Sequence, residues 1–390
     1  MAKVRDWKIN HRCLFLSQLN YVYTKKRMRK INYLPLLFLL AFGTRLPAQV
    51  VLLKDPEITV DGCLNVCYAG SNDSTGTGTP RFLSDVGPYE GFNLNLVSLE
   101  VKMQTGRTHA KAILQFGDIP ALSLPPDLQV VSEAYGGILL GKKLWLDAGI
   151  FGTHNGTESI LLKDNLTESW AAPTFYQPYI ETGLRLKRSF GENFSASLYL
   201  INGYNLFHDN NKQKSAGLLL TWDASDALSF GYDNYVGDDS PEGSATTHVL
   251  FYNNLYASFE KGRLKMSGGI DYCRKQHADL AFGTLPSSML SALLSARIAC
   301  CEKLGFYGRY EYFNDPDGIM SGTVFTDNGV QSGLLLNGLT LGAEYVPQEK
   351  SYLRIEARGL QAASHQTIFQ VNHRPGNQRI EWMLALGVWL

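Results

Sequence analysis

The chain has 390 residues, 36 basic and 36 acidic, and contains no apolar run of 18 residues that could form a transmembrane helix. The charge is unevenly distributed, because residues 1–49 hold ten basic residues and one acidic residue, which leaves 26 basic and 35 acidic residues in the remainder. The excess of acidic residues in the remainder of the chain disfavours nucleic-acid binding. The length of the chain suits two soluble domains or one large β domain.

Residues 28–49 have the parts of a secretory signal peptide. Two basic residues follow the methionine that opens the segment, residues 34–42 are apolar, and LPA precedes a cleavage site near Ala48/Gln49. The apolar part is too short to span a bilayer. Residues 1–27 fit no targeting pattern and are interpreted as an over-extended, non-structural start. The alternative is a buried N-terminal helix.

Beyond the signal peptide, the main signal is a two-residue period of apolar side chains, which is typical of β-strands with one apolar face. Most runs have about ten residues, near the length of a tilted strand that crosses a bilayer. The sixteen predicted strands are 57–69, 91–104, 107–116, 130–140, 143–151, 178–188, 193–202, 214–223, 226–236, 246–260, 262–275, 289–300, 303–313, 334–346, 351–361 and 379–390.

The connections between these strands alternate in length without a break. Short turns such as Thr105-Gly106 and Gly141-Lys142 have the length of hairpin turns. The long connections are 70–90, 117–129, 152–177, 203–213, 237–245, 276–288, 314–333 and 362–378. A soluble sandwich has no reason for this alternation, whereas an outer-membrane barrel has short periplasmic turns, long outer loops and an even number of strands.

The run SYLRIEARGLQ at 351–361 indicates which strand face meets lipid. Arg354, Glu356 and Arg358 alternate there with apolar residues. One Arg at mid-membrane on the lipid face costs roughly 2–4 kcal/mol, so three charges there would rival the stability of a whole domain, about 5–15 kcal/mol. We therefore expect the charged face to line a water-filled lumen. The same pattern places on the lumen side Glu181, Arg185, Lys187, Arg309 and Glu311.

Three strands carry additional predictions. The strand 379–390 should present Leu384 and its alternating apolar neighbours to lipid. In the strand that begins at residue 91, the apolar register changes at Val97-Ser98, which predicts a β-bulge. The run 289–300 is so uniformly small and apolar that it could form a helix by itself, but the strand count and the alternation favour a strand.

Motifs of enzymes and metal sites are absent from the sequence, so neither an enzyme nor a cofactor or metal is expected. There is no GxSxG, HExxH or P-loop, although a phospholipase-like barrel with a Ser–His pair stays open as an alternative. The six cysteines form no metal or redox spacing, and Cys63 and Cys67 on one strand would lie ~13 Å apart, too far to bond. DPDG at 315–318 resembles half of a calcium loop but is interpreted as an ordinary turn.

Five stretches together resemble one family. They are VSEAYGGILLGKKLWLDAGIF at 131–151, GTESILLKDNLTES at 156–169, PYIETGLRL at 178–186, LYLINGY at 198–204 and RIEARG at 354–359. As a set they resemble the OmpL-like β-barrel porins of the porin-2 type found in Bacteroidetes. The resemblance implies an outer-membrane barrel with a pore, and it implies no catalytic or ligand residues. The chain departs from the family pattern at Glu168, where an Arg is expected, and at the terminal Leu390.

The longest connection, 152–177, combines charged residues with more apolar surface than a solvent-exposed loop tolerates. We expect it to fold into the barrel mouth and narrow the channel, with charges of both signs facing each other across a gap. The alternative is a position on the outer rim. The candidate pore-lining or constriction residues are His154, Glu158, Lys163, Asp164, Glu168, Glu181, Arg185, Lys187, Arg309, Glu311, Arg354, Glu356 and Arg358.

The sequence therefore predicts an all-β, antiparallel, sixteen-stranded outer-membrane barrel, wide enough for an aqueous channel. Its expected function is passive diffusion of small hydrophilic solutes or ions. One alternative is a non-conducting barrel that displays its loops as an adhesin or assembly scaffold, and a more distant one is a secreted soluble β-protein. The expected partners are outer-membrane lipid and lipopolysaccharide, the barrel-assembly machinery, small hydrophilic solutes and, in a homo-oligomer, further copies of the chain.

Overall fold

The computed structural model describes residues 50–54, 56–74 and 90–390, with the backbone alone at 50–54. The over-extended start and the signal peptide predicted within residues 1–49 lie outside the described residues. None of the helices in the described ranges is long and apolar enough to cross a membrane.

In the described part of the chain, sixteen long strands form one antiparallel sheet that closes into a barrel. The strands are β1 (Glu57–Ser71), β2 (Gly91–Gln104), β3 (Thr108–Phe116), β4 (Val131–Gly141), β5 (Leu144–Gly152), β6 (Ile180–Phe190), β7 (Phe194–Ile201), β8 (Ser215–Ser225), β9 (Leu228–Asp238), β10 (Val249–Lys261), β11 (Leu264–Lys275), β12 (Ser287–Ala299), β13 (Leu304–Asn314), β14 (Leu335–Tyr345), β15 (Ser351–Ala362) and β16 (Gln378–Trp389). Each strand pairs with the next along the chain, so the barrel is an uninterrupted meander.

The barrel closes between its first and last strands. Cys63 of β1 lies opposite Trp389 of β16, and the pairing continues to Ser71 opposite Glu381. The first residues of β1 extend beyond the end of β16, and there the short strand Val50–Lys54 pairs with them instead. The edge of β1 is thus covered along both halves, as a closed barrel requires.

The sixteen predicted strands are confirmed, with bounds that agree within about three residues. The run that could have been a helix is strand β12. The predicted bulge at Val97-Ser98 is wrong in position, because the register shift opposite Asn65 leaves Asn95 as the extra residue. The bulge turns Asn95 inward, where it is fully buried and accepts a hydrogen bond from the Cys67 thiol at 3.2 Å.

The connections collect at two ends of the barrel, because neighbouring strands are antiparallel. Seven short turns lie at one end, which we call the short-turn end, and the long connections lie at the other, the long-loop end. The long connections carry the helices α1 (Asp118–Ser123) and α2 (Ala172–Phe175), a 3-10 turn and two small hairpins.

The outer and inner faces of the barrel differ as the alternation of charged and apolar residues at 351–361 predicts. On β15, Ile355 is 61 % exposed on the outer face, whereas Arg354 and Arg358 are each 1 % exposed inside the barrel. On β16, Leu384 is 51 % exposed on the outer face and Met383 is buried inside. The prediction that the charged faces point inward is therefore confirmed, but Arg354 and Arg358 are buried against paired carboxylates and do not face open water as predicted. The apolar outer face suits contact with lipid.

The DPDG stretch forms a turn. Both carboxylate oxygens of Asp315 accept backbone N–H groups from the following residues, with distances of 2.9, 2.9 and 2.8 Å to Ile319, Met320 and Ser321. An Asp that accepts from its own loop in this way is typical of a turn. Its carboxylate holds the long connection between β13 and β14 in place.

Candidate functional site

The connection between β5 and β6, residues 153–179, lies inside the barrel, and we call it the inner loop. At its centre Thr167, Glu168 and Ser169 have no exposed surface, and Trp170 is 4 % exposed. Beyond one 3-10 turn and α2 it has no regular structure. Its buried backbone groups still require hydrogen-bond partners, and side chains of the barrel wall supply many of them.

Three arginines of the wall donate to carbonyl oxygens of the inner loop, and one of them is Arg309 of β13, which reaches the Trp170 carbonyl at 3.0 Å. Arg354 of β15 contacts the carbonyl oxygens of Leu162 and Thr167 at 3.1 and 3.0 Å. Arg297 of β12 reaches the carbonyl of Leu166 at 2.7 Å through Nη2. A guanidinium with five N–H donors in a fixed fork is suited to several carbonyls at once. The arginines of the wall therefore replace the ladder that a regular element would have provided.

Two glutamates of the wall accept backbone N–H groups of the same loop. The Glu356 carboxylate receives the N–H of Glu168 at 2.7 Å and that of Ser169 at 3.2 Å. The Glu311 carboxylate receives the N–H of Ala172 at 2.5 Å. Arginines bond the carbonyl groups and glutamates bond the amides, so the alternation of charge along β13 and β15 matches the polarity of the loop backbone.

Charges of the inner loop are paired directly with charges of the wall. Arg354 Nη1 lies 3.1 Å from Glu168 Oε2, and Arg309 Nη1 lies 3.0 Å from Glu158 Oε1. The prediction of a gap between these acids and arginines is therefore wrong. The reason is physical: a buried charge needs a partner in contact, and the irregular backbone beside it needs the same donors.

The N-terminal arm of the inner loop docks on the opposite side of the barrel. His154 Nδ1 lies 2.7 Å from the Glu181 carboxylate, and its Nε2 lies 2.8 Å from the Asn234 carbonyl oxygen of β9. Asn155 donates to the Asp233 carboxylate at 2.9 Å. Burial alone would lower the pKa of His154, but the Glu181 carboxylate outweighs it and the pKa is raised. The loop thus spans the lumen from β9 to β15.

Two cavities lie beside the inner loop, the larger toward the short-turn end and the smaller between mid-wall and the long-loop ends of β3–β5. The smaller, about 430 Å³, lies between the loop and wall residues that include Lys111, Glu133 and Arg185. The larger, about 700 Å³, lies between the loop and turns of the short-turn end. Glu158 and Ser159 of the inner loop line both. The cavities therefore lie on either side of this part of the loop.

The charged groups of the smaller cavity form side-by-side pairs on the wall. Lys111 Nζ lies 3.0 Å from Glu133 and 3.1 Å from Glu100. Arg185 Nη2 lies 2.7 Å from Asp147. Because cations and anions alternate along the wall, the cavity presents both signs to whatever enters it.

Toward the long-loop end, the inner face of β7 and β9–β15 becomes largely apolar, whereas β16 keeps the buried pair Arg379–Glu381 there. Half-buried side chains of several long loops pack on this part of the wall, and we call the assembly the outer cluster. Its buried wall residues include Ile201, Tyr235, Tyr252, Cys273, Phe313 and Leu336. A second apolar cluster lies where α1 packs on the inner loop, through Ile119, Leu162 and Trp170. The two clusters bury most of the apolar side chains of the inner loop, which is why this loop is not exposed to solvent.

The thirteen predicted candidate residues lie either on the inner loop or on the inner side of β6, β13 and β15. The structure brings together five pairs: His154–Glu181, Glu158–Arg309, Arg309–Glu311, Glu168–Arg354 and Glu311–Arg358. Lys163 and Asp164 pair with each other beside the larger cavity. Arg185 lines the smaller cavity, and Lys187 follows it toward the short-turn end. Their role in solute passage stays a prediction.

Several residues that hold the inner loop were missed. Asn65 of β1 donates to Glu168 at 2.7 Å, and Glu344 of β14 accepts from both Arg297 and Arg354 at 2.8 Å. Arg297 and Glu344 are single charges in otherwise apolar strands, at positions that the two-residue period assigns to the lumen. The rule that found Arg354 would have found them too.

Comparison with known proteins agrees with this architecture. Among solved structures, the chain is similar to the outer membrane channel DcaP of Acinetobacter baumannii, at 9 % identity and a TM-score of 0.58, covering 86 % of this chain and 97 % of that one. OmpF of Salmonella typhi, solved in complex with daunomycin, is similar at 11 % identity and a TM-score of 0.56. The match covers 87 % of this chain and 100 % of that one. OmpT of Vibrio cholerae is similar at 11 % identity and a TM-score of 0.55, and the match again covers 87 % of this chain and 100 % of that one. At such identities the likeness shows the fold alone.

The sequence itself matches one family over nearly the whole barrel. No curated protein matches the chain. The family model described as "Putative beta-barrel porin-2, OmpL-like" matches residues 57–389, from the first residue of β1 to the last of β16. With a closed sixteen-stranded barrel, an apolar outer face and a loop across the lumen, the chain belongs to the OmpL-like β-barrel porin-2 family of outer-membrane proteins.

Proposed function

We propose that this protein is a porin through which small hydrophilic solutes or ions diffuse passively, and that the inner loop sets the width of their path. The short-turn end faces the periplasm, and the chain is exported by cleavage near Ala48/Gln49. The protein needs neither a cofactor nor covalent chemistry for this task. Family membership supports the class of function, and the observation that carries the proposal is the pair of polar cavities beside the inner loop.

The lining of the smaller cavity indicates the kind of solute. Lys111, Glu133 and Arg185 on the wall and Glu158 on the loop offer charges of both signs within one narrow space. Such a lining can replace part of the water around a polar solute, whereas an apolar solute would have to separate these groups from their hydration. Hydrated, polar molecules are therefore the favoured cargo.

Single-channel recording in planar bilayers tests the proposal, with Glu133→Gln as the diagnostic variant. The change removes a negative charge from the smaller cavity, while Lys111 keeps Glu100 as its partner. We expect discrete conductance steps in both proteins and a shift of ion preference toward anions in the variant. Glu302→Gln, in an exposed turn away from both cavities, is the matched control.

Two outcomes would contradict the proposal in different ways. Folded, correctly inserted protein without any conductance steps would exclude a pore. Steps whose ion preference is the same in Glu133→Gln and in the unmodified protein would exclude the smaller cavity from the path. Deleting residues 158–169 should raise the step size, because this segment separates the two cavities and fills the lumen beside the wall.

The outer cluster favours one other function, a non-conducting barrel that displays its long loops. Apolar side chains fill the lumen there and join the loops into one packed unit, as a rigid scaffold would require. The same recording separates the two functions, because a scaffold stays silent in every variant.

A further inference from the structure

The outer cluster ties the inner loop to the connection between β7 and β8. The Tyr176 ring of the inner loop lies 5.1 Å from the Phe313 ring on β13. The Tyr204 hydroxyl donates to the Tyr176 carbonyl oxygen at 2.9 Å, and the Tyr204 ring packs on Tyr235 of β9 at 5.3 Å. Aromatic side chains thus connect β9 and β13, which lie four strands apart in the barrel wall.

Two further long connections close over the same cluster. Ile319 and Met320, from the connection between β13 and β14, and Ile368, from the connection between β15 and β16, pack against it and are half-buried. Gln366 donates to the Gly333 carbonyl oxygen at 2.6 Å and thereby joins the two connections. These loops meet the wall through side-chain packing and a small number of hydrogen bonds, so they can open locally while the strands stay paired.

The position of the cluster matters for anything that moves through the barrel. The larger cavity lies toward the short-turn end, between the inner loop and strands β8–β12. In the described part of the chain, the outer cluster occupies the long-loop ends of β9–β12 and so lies between this cavity and the long-loop end. A hydrated solute would lose much of its water there, because the cluster is mostly apolar and the hydroxyls of Tyr235 and Tyr252 are already bonded to Asp239 and Asp271. Apolar constrictions of this kind stop conduction by excluding water.

We propose that the outer cluster is a displaceable seal, formed by the long loops, that closes the path at the long-loop end and opens when those loops move aside. The inference rests on the proposed porin function, because a seal has meaning only on a conducting path. It adds that the protein has a closed state, and that the occupancy of the open state is set by apolar side chains of loops rather than by the charged wall.

The native Cys273 offers a direct probe of this seal. Its free thiol lies on β11 within the outer cluster and is fully buried. Replacing the other five cysteines by serine or alanine leaves Cys273 as the sole cysteine. In the folded protein in detergent micelles, we expect a charged, water-soluble methanethiosulfonate reagent to modify Cys273 much more slowly than in the denatured protein.

The double change Ile319→Ser, Met320→Ser should weaken the seal without touching a barrel strand. We expect it to speed modification of Cys273 by about tenfold, which corresponds to about 1.4 kcal/mol in the opening equilibrium, and to raise the fraction of time that the channel conducts. Val330→Ser is the matched control, because Val330 belongs to the same connection but is 62 % exposed and lies outside the cluster. It should leave both quantities unchanged.

The outcomes separate the seal from the porin function. Modification of Cys273 at the denatured rate in the folded parent would overturn the seal, as would equal rates in the double variant and the Val330→Ser control. Faster modification with an unchanged conducting fraction would show that the cluster opens but does not close the path. Faster modification in a protein that never conducts would overturn the porin function itself, and the gating role with it.

Discussion

Arg354 and Glu168 form an ion pair inside the barrel, with Nη1 3.1 Å from Oε2 and both side chains at most 1 % exposed. Arg354 also donates to carbonyl oxygens of the inner loop. One guanidinium therefore serves as the counter-ion of the loop and as a partner of its backbone. Glu168 of the inner loop is thus matched by an arginine of the barrel wall.

Removing Arg354 should release the inner loop. Arg354→Met removes the buried counter-ion of Glu168 and a donor from three loop carbonyl groups, those of Leu162, Asn165 and Thr167. Breaking a buried pair in this way costs about 3–5 kcal/mol. We expect a lower unfolding midpoint in urea and faster proteolysis within residues 153–179. Arg263→Met, in an exposed turn where the guanidinium donates to one carbonyl, should change neither. Equal midpoints for the two variants would mean that the buried pair does not hold the loop.

The outer face of β16 should reject charge at mid-height. Leu384 lies in the middle of the strand and is 51 % exposed on the outer face, so Leu384→Arg should cost roughly 2–4 kcal/mol. Leu304→Arg, at the first residue of β13, should cost at most about 1 kcal/mol, because the penalty falls near the membrane surface. Heat-modifiable gel migration measures the folded fraction of each. A greater loss with Leu304→Arg would reverse the assigned depths.

Thiol labelling of intact cells should reveal the orientation. Asn328 is exposed at the long-loop end and Gln348 at the short-turn end. In a background without Cys300 and Cys301, Asn328→Cys should react with a membrane-impermeant reagent and Gln348→Cys should not, since only the long loops face outside. Gel analysis after quenching gives the answer. Labelling of the second position alone would invert the topology.

Stability should fall as the pH rises past neutrality because of His154. Contact with the Glu181 carboxylate raises its pKa in the folded protein above the ordinary value of 6.5. The stabilisation by this pair is therefore complete below about pH 6.5 and is lost as the pH rises through the folded pKa. Thermal unfolding across this range should show a midpoint that decreases with pH. His154→Gln should flatten the profile, whereas His208→Gln, an exposed loop position, should retain it. A decrease that persists in His154→Gln would assign the effect to another group.

The strands were predictable because the membrane enforces a strict rule on them. Ile355 and Leu384 must face lipid, so their neighbours must face inward, and a two-residue period reveals the barrel without any knowledge of distant contacts. The position of the bulge was not predictable, because Asn95 turns inward to meet Cys67, a residue that is 28 positions away. A contact between residues so far apart does not appear as a periodic pattern in the sequence.

Most residues of the candidate site could be predicted from the sequence, but the contacts between them could not. The inward direction of Arg354 and Glu356 follows from the alternation, but their contact with Glu168 joins residues 186 to 188 positions apart. From the charges in the sequence we expected acidic and basic side chains to face each other across an open gap. They are instead in contact, because the buried backbone of the inner loop needs hydrogen-bond donors. The outer cluster was missed because Cys273 and Met289 give no charge pattern that would mark the lumen side.

The separation between the inner loop and its partners also bears on the order of folding. Arg297 bonds the carbonyl of a residue 131 positions earlier, and Arg354 one 192 positions earlier. The loop is therefore synthesised long before the groups that complete it, and contacts of such high sequence separation form slowly because the intervening chain must first be brought together. We expect the inner loop to order only after β12–β15 have joined the sheet, which makes its docking the last step of assembly and not the nucleus.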